Sequence, residues 1–198
     1  LAGWKTWTMS ELDRRYSGSI ELSRPGPAAV TMLGITASMW VVQLVNAAMG
    51  GALEFYGIHS LWPTGLIGIV TAPFLHGSWE HLIGNPVPLL VLGWLTLLGG
   101  TRQWVRATLV VMVCSGLFAW TFSEPGTLTI GASGMVFGYL GYLLARGLVT
   151  RRLRDIVVAL IVFVLYGSVL WGVLPGQYGV SWQAHLGGAL GGVLAATR

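Results

Sequence analysis

The chain has 198 residues, of which 54% are hydrophobic and only 9% charged, with a formal net charge of +4. A water-soluble domain carries about a quarter charged residues. A chain this size therefore cannot hide so much apolar surface, and lipid must cover part of it. The basic balance does not point to nucleic acid, because the cations fall in short runs between apolar segments and form no basic face interleaved with aromatics.

Residues 1–26 are mixed and polar, with Lys5, Arg14, Arg15 and Arg24. They predict a cytoplasmic tail without a cleavable signal peptide. Residues 27–198 predict one transmembrane core. Apolar length places spanning helices near 27–49, 79–99, 103–122, 131–149, 153–174 and 181–197. The expected fold is all-α, a polytopic six-helix membrane bundle. The connection 50–78 is apolar but broken by Gly57, Pro63, Gly65, Gly68 and Pro73. It is too punctuated to span and is expected to lie partly embedded at the interface. Ten tryptophans suit that interface and 29 glycines suit close helix packing. The single cysteine, Cys114, lies in an apolar segment. It excludes an internal disulfide and a cysteine-rich metal site, and it reads as a small packing residue.

All 11 Lys and Arg lie in the tail, at Arg102 and Arg106, at Arg146, Arg151, Arg152 and Arg154, and at Arg198. These are alternate connections of a six-span chain, and 50–78, 123–130 and 175–180 hold none. The positive-inside rule then puts both termini in the cytoplasm. Ser133, His185 and the group His76, His81 and Asn85 all come to the outer side.

Polar groups inside a membrane are costly and mark function. Ser133, in Gly131-Ala132-Ser133-Gly134, opens the fourth span. A serine there can be a helix cap. It can also be a nucleophile, with Gly131 allowing close approach and the free N–H groups of the first turn facing a developing oxyanion. His185 is the candidate base. Gly188 and Gly192 follow it on one helix face, and Gly134, Gly138 and Gly141 form a similar stripe beside Ser133. Docking the two stripes would bring Ser133 Oγ to the imidazole. His81 and Asn85, four apart, share a face and can both donate to an oxyanion. As a rival, His76, His81 and His185 could be zinc ligands, or His81 and His185 could hold haem. The spacing is not that of His-Glu-x-x-His, and no aspartate lies in mid-span to complete a site. No metal or cofactor is therefore expected. Asp155 falls on the inner side, and Glu54, Glu80 and Glu124 read as facing water, so no third member of a triad is evident. His59 has no visible partner.

Gly131-Ala132-Ser133-Gly134, His76-x4-His81-x3-Asn85 and Ala184-His185-x-x-Gly188-x-x-x-Gly192 together resemble the rhomboid intramembrane serine proteases, over roughly residues 27–197. The resemblance implies Ser133 as nucleophile and His185 as general base. It implies His81, Asn85 and the Ser133 N–H as the oxyanion site, and His76 as a structural residue. It implies a bacterial six-span form in the plasma membrane, acting on single-span or other transmembrane substrates that enter sideways from lipid. Three positions depart from the family. Phe137 stands where many relatives carry a tyrosine stacked on the histidine, Pro86 directly follows Asn85, and the 50–78 loop lacks an arginine beside Trp62. The alternative function is that of a catalytically silent relative that binds transmembrane helices.

Overall fold

A computed structural model describes residues 23–197. The expected tail thus lies almost entirely outside the described residues. The first helix, α1 (Pro25–Ala48), begins on a proline, whose missing N–H costs nothing at a helix start. Its buried residues are Ala28, Met32, Thr36, Met39, Gln43 and Asn46, spaced by three or four along one face. The other face exposes Val30, Leu33, Val41, Leu44 and Val45. A helix buried on a narrow polar-containing face and apolar outside is the inverse of a soluble helix, and it fits lipid contact.

The connection after α1 is built from single helical turns at Ala52–Tyr56, Pro63–Ile67 and Ala72–Phe74, the two-residue strand β1 (Ile58–His59) and the short helix α2 (Gly68–Thr71). Asn46 anchors its start by accepting from Leu53 N–H at 3.0 Å and donating to Glu54 Oε1 at 3.2 Å. His59, without a legible partner in the sequence, stacks on Trp62.

The predicted second span is two helices, α3 (Trp79–Ile83) and α4 (Pro86–Leu98). Pro86 lacks an N–H, and its ring would strike the carbonyl four residues back, so one helix stops at Gly84–Asn85 and another starts. Next come α5 (Thr101–Phe122), β2 (Leu128–Thr129), α6 (Ser133–Thr150) and α7 (Leu153–Tyr166). A 3-10 turn at Gly167–Val173 extends α7, and α8 (Trp182–Ala196) follows. β1 pairs antiparallel with β2, Ile58 opposite Thr129. Ser60, 1% exposed, donates to the carbonyls of Trp120 and Ser123 and so satisfies the end of α5.

Four segments are long and apolar enough to cross a membrane: 25–48, 79–98, 101–122 and 153–173. The helices at the other two predicted positions, α6 and α8, are shorter than these segments; α6 sits inside the bundle, while α8 leaves Leu190, Val193 and Leu194 exposed. Every residue of α6 from Gly134 to Leu143 is buried. By contrast α7 buries only Val162. The most extensive contacts are those of α8 with α6 and with α5.

The glycines explain that closeness where the two stripes meet, and a Cβ at Gly141 of α6 would lie 2.5 Å from the Ala189 carbonyl oxygen of α8. A Cβ at Gly188 would fall on the Gly134 carbonyl oxygen, and one at Gly192 on that of Gly138. The glycines of α8 thus admit the backbone of α6. Gly134 and Gly138 themselves face α5, at Ser115 and Val111. At the end of α6 remote from Ser133, Thr150 donates to Asp155 Oδ2 at 2.6 Å and Arg146 lies 3.7 Å from the same oxygen.

Candidate active site

Ser133 is the first residue of α6, not its cap, and the capping position is Ala132. Its hydroxyl is therefore not spent on the helix start. It donates instead to His185 Nε2, at 2.7 Å. His185 lies in the first turn of α8 and is 7% exposed. Its other ring nitrogen, Nδ1, is 2.9 Å from the Gly172 carbonyl. A carbonyl can only accept, so Nδ1 carries the proton and Nε2 is left as the acceptor for the serine. Phe137, one turn along α6 from Ser133, lies flat on the imidazole, with centroids 4.0 Å apart and planes within 11°. The aromatic face expected there is kept without a hydroxyl.

The Gly172 carbonyl is the group the residue pattern did not disclose. A backbone oxygen has no signature in sequence; the only trace is the glycine itself. A Cβ at position 172 would come within 2.7 Å of Phe137 Cζ and 3.2 Å of His185 Nδ1. Ser115 is a second addition. It is 8% exposed and donates to the Ala184 carbonyl at 2.8 Å, tying α5 to the residue before His185. Its signal was a serine in mid-span.

Gly131 has φ +113°, which disfavours any side chain, and a Cβ there would lie 2.5 Å from His81 Nε2. The glycine thus lets the imidazole of His81 rest against the turn that leads into Ser133. His81 is placed by the cap of α3, where its N–H donates to Ser78 Oγ at 3.0 Å. Asn85 sits at the break before Pro86 and is 5% exposed. Its Nδ2 donates to the His81 carbonyl at 2.8 Å, which uses one of its two hydrogens.

His76 is fully buried, edge-on to His81 with centroids 5.0 Å apart. Neither of its ring nitrogens has a protein partner in good hydrogen-bond geometry. Burial first, and the neighbouring His81 second, push its pKa down to about 4. Among the described residues no three of His, Cys, Asp or Glu converge as metal ligands.

Ser133, His185, His81, Asn85 and Gly131 line one cavity of about 690 Å³, closed on one side by β2 and the start of α8. It holds an oriented serine–imidazole hydrogen bond with a helix N-terminus and two side-chain donors on the same wall. That arrangement can deprotonate a hydroxyl and stabilise an anion formed on a nearby carbonyl.

A family profile described as Rhomboid domain matches residues 63–198. Proteins described as uncharacterized from Mycobacterium tuberculosis and Mycobacterium bovis are 38% identical over 213 aligned positions, covering 95% of this chain and 89% of theirs. A Mycobacterium leprae protein is 42% identical over 84% of this chain and 69% of its own. A Toxoplasma gondii protein named Rhomboid-like protease 5 is 30% identical over 64% of this chain and 15% of its own length.

Proposed function

The chain belongs to the rhomboid family, and from that premise we propose that it is an intramembrane serine endopeptidase cutting membrane-anchored proteins in or near their transmembrane segments. The observation that carries this reading is the 2.7 Å bond from Ser133 Oγ to an imidazole whose far nitrogen is held by Gly172.

In the proposed reaction, Ser133 Oγ attacks the scissile carbonyl while His185 Nε2 takes its proton. The Nδ1–H bond to Gly172 keeps the tautomer correct and supports the charged ring that forms. The Ser133 N–H, at the start of α6 with no helical partner, receives the oxyanion together with His81 and the second hydrogen of Asn85 Nδ2. His185 returns the proton to the leaving amine, and water then resolves the acyl-enzyme. A helical substrate shields its own carbonyls, so small or helix-breaking residues near the cut favour the reaction. The alternation of Lys and Arg supports cytoplasmic termini and a cavity opening outward, and the mycobacterial relatives support a bacterial plasma membrane.

The test is a fluorophosphonate serine probe on the purified protein in detergent, with a generic single-span substrate alongside. Labelling maps to Ser133, and Ser133→Ala abolishes both labelling and cleavage, the latter by on the order of 10³-fold or more. Cleavage that persists in pure Ser133→Ala protein would refute the nucleophile. A folded native protein that neither labels nor cleaves would be the silent helix binder.

A further inference from the structure

Besides the serine and imidazole, the same cavity is lined by two acidic residues, Glu80 and Glu124. Both are exposed, so they stand at its rim. They come from different elements and each rests on fixed backbone. Glu80 is in the first turn of α3, capped by Ser78. Glu124 follows α5 in a turn closed by Thr127, which donates to the Glu124 carbonyl through both N–H and hydroxyl, at 3.1 and 2.7 Å. Gln183 at the start of α8 donates to the Phe122 carbonyl and pins the same turn to the cavity wall.

Neither carboxylate has an ion-pair partner among the described residues. No compensating cation is near in sequence: 50–78, 123–130 and 175–180 contain no Lys or Arg. The remaining ionisable groups lining the cavity are the imidazoles of His81 and His185. The rim therefore presents uncompensated negative charge to whatever chain lies in the cavity. The carboxylates are not a site in themselves. Ser133 and His185 fix the kind of occupant, and the carboxylates bias which occupant is held.

We propose that Glu80 and Glu124 are specificity residues that favour substrates with Lys or Arg in the stretch crossing the cavity rim beside the scissile bond, and disfavour Asp or Glu there. This rests on the protease reading. The bias follows from charge complementarity, which acts on partner choice and encounter more than on the bond-breaking step. Because the rim is wet, the effect is modest and falls with salt.

The experiment uses three single-span peptides, identical except for Lys, Gln or Glu at the rim-side flank of a small-residue cut site. Two readouts run together in uncharged detergent: cleavage, and protection of Ser133 from the fluorophosphonate probe. At low salt the Lys peptide is expected to exceed the Glu peptide in kcat/KM and in protection by on the order of threefold to tenfold, shrinking at high salt. The double variant Glu80→Gln/Glu124→Gln collapses the ranking. Equal behaviour of the three peptides, or a ranking that survives in the double variant, overturns the proposal and leaves the protease intact. Absence of any labelling at Ser133 overturns the protease reading and this one with it.

Discussion

Gly172 has no side chain, yet it touches both rings of the candidate centre. Its carbonyl holds His185 Nδ1 at 2.9 Å, and its Cα leaves only 2.7 Å between an added Cβ and Phe137 Cζ. Gly172→Ala should therefore tilt the imidazole without removing any catalytic atom. A small misplacement of a reacting group costs heavily, so kcat is expected to fall about 10- to 100-fold with KM little changed. The pH–rate profile should move as well, because the displaced ring loses the acceptor that supports its protonated form, whereas a merely structural defect would leave the profile in place. Ser133 and His185 were legible because polar residues stand out in apolar spans. Gly172 was not, since every residue carries the same carbonyl. The commitment of Asn85 to the His81 carbonyl depends on the helix break, and a proline alone announces a break without saying where the side chain before it turns.

The packing of α8 on α6 is the contact on which the serine and imidazole both depend. A Cβ at Gly192 would fall on the Gly138 carbonyl and 2.7 Å from the Tyr142 nitrogen, both backbone atoms that cannot swing aside. Gly192→Leu should destabilise the fold by at least about 1–3 kcal/mol through overpacking. Gly34→Leu on α1, where an added Cβ meets nothing within 4 Å, should stay within about 0.5 kcal/mol. Thermal unfolding in detergent compares the two, and equal losses would show that the glycines are not the close-approach points. Helix positions were readable from apolar length alone, but the second span reads as one helix over 79–99, and its division at Pro86 was not expected. The partner of each glycine face was not readable. A stripe of small residues says that something comes near, and only the assembled bundle reveals that Gly134 and Gly138 serve α5 while Gly188 and Gly192 serve α6.

At the scale of the whole molecule, no Lys or Arg among the described residues lines the cavity, and burial beside it holds His76 neutral. The folded pKa of His76, about 4, lies below its ordinary 6.5. Between those values the unfolded chain binds the proton that the folded chain refuses, so stability is full above the ordinary value and falls as pH drops through that window. Unfolding temperature in detergent should decline from neutral to acid pH, and His76→Gln should lessen the slope; an unchanged slope would place the titration elsewhere. That Ser133, His185 and His81 share one end of the bundle was legible from the order of the spans, and the enclosure of α6 was foreshadowed by its glycines, which α7 lacks. That enclosure fixes a height. Ser133 heads a helix of 18 residues, and at 1.5 Å per residue the serine stands ~27 Å above the helix's other end, near the ~30 Å depth of a hydrocarbon layer. In the proposed protease reading, the bond to be cut is chosen first by altitude. A passenger whose apolar stretch rides higher or lower in the bilayer offers a different peptide bond to the same fixed hydroxyl, so membrane thickness itself becomes a determinant of where the chain is cut.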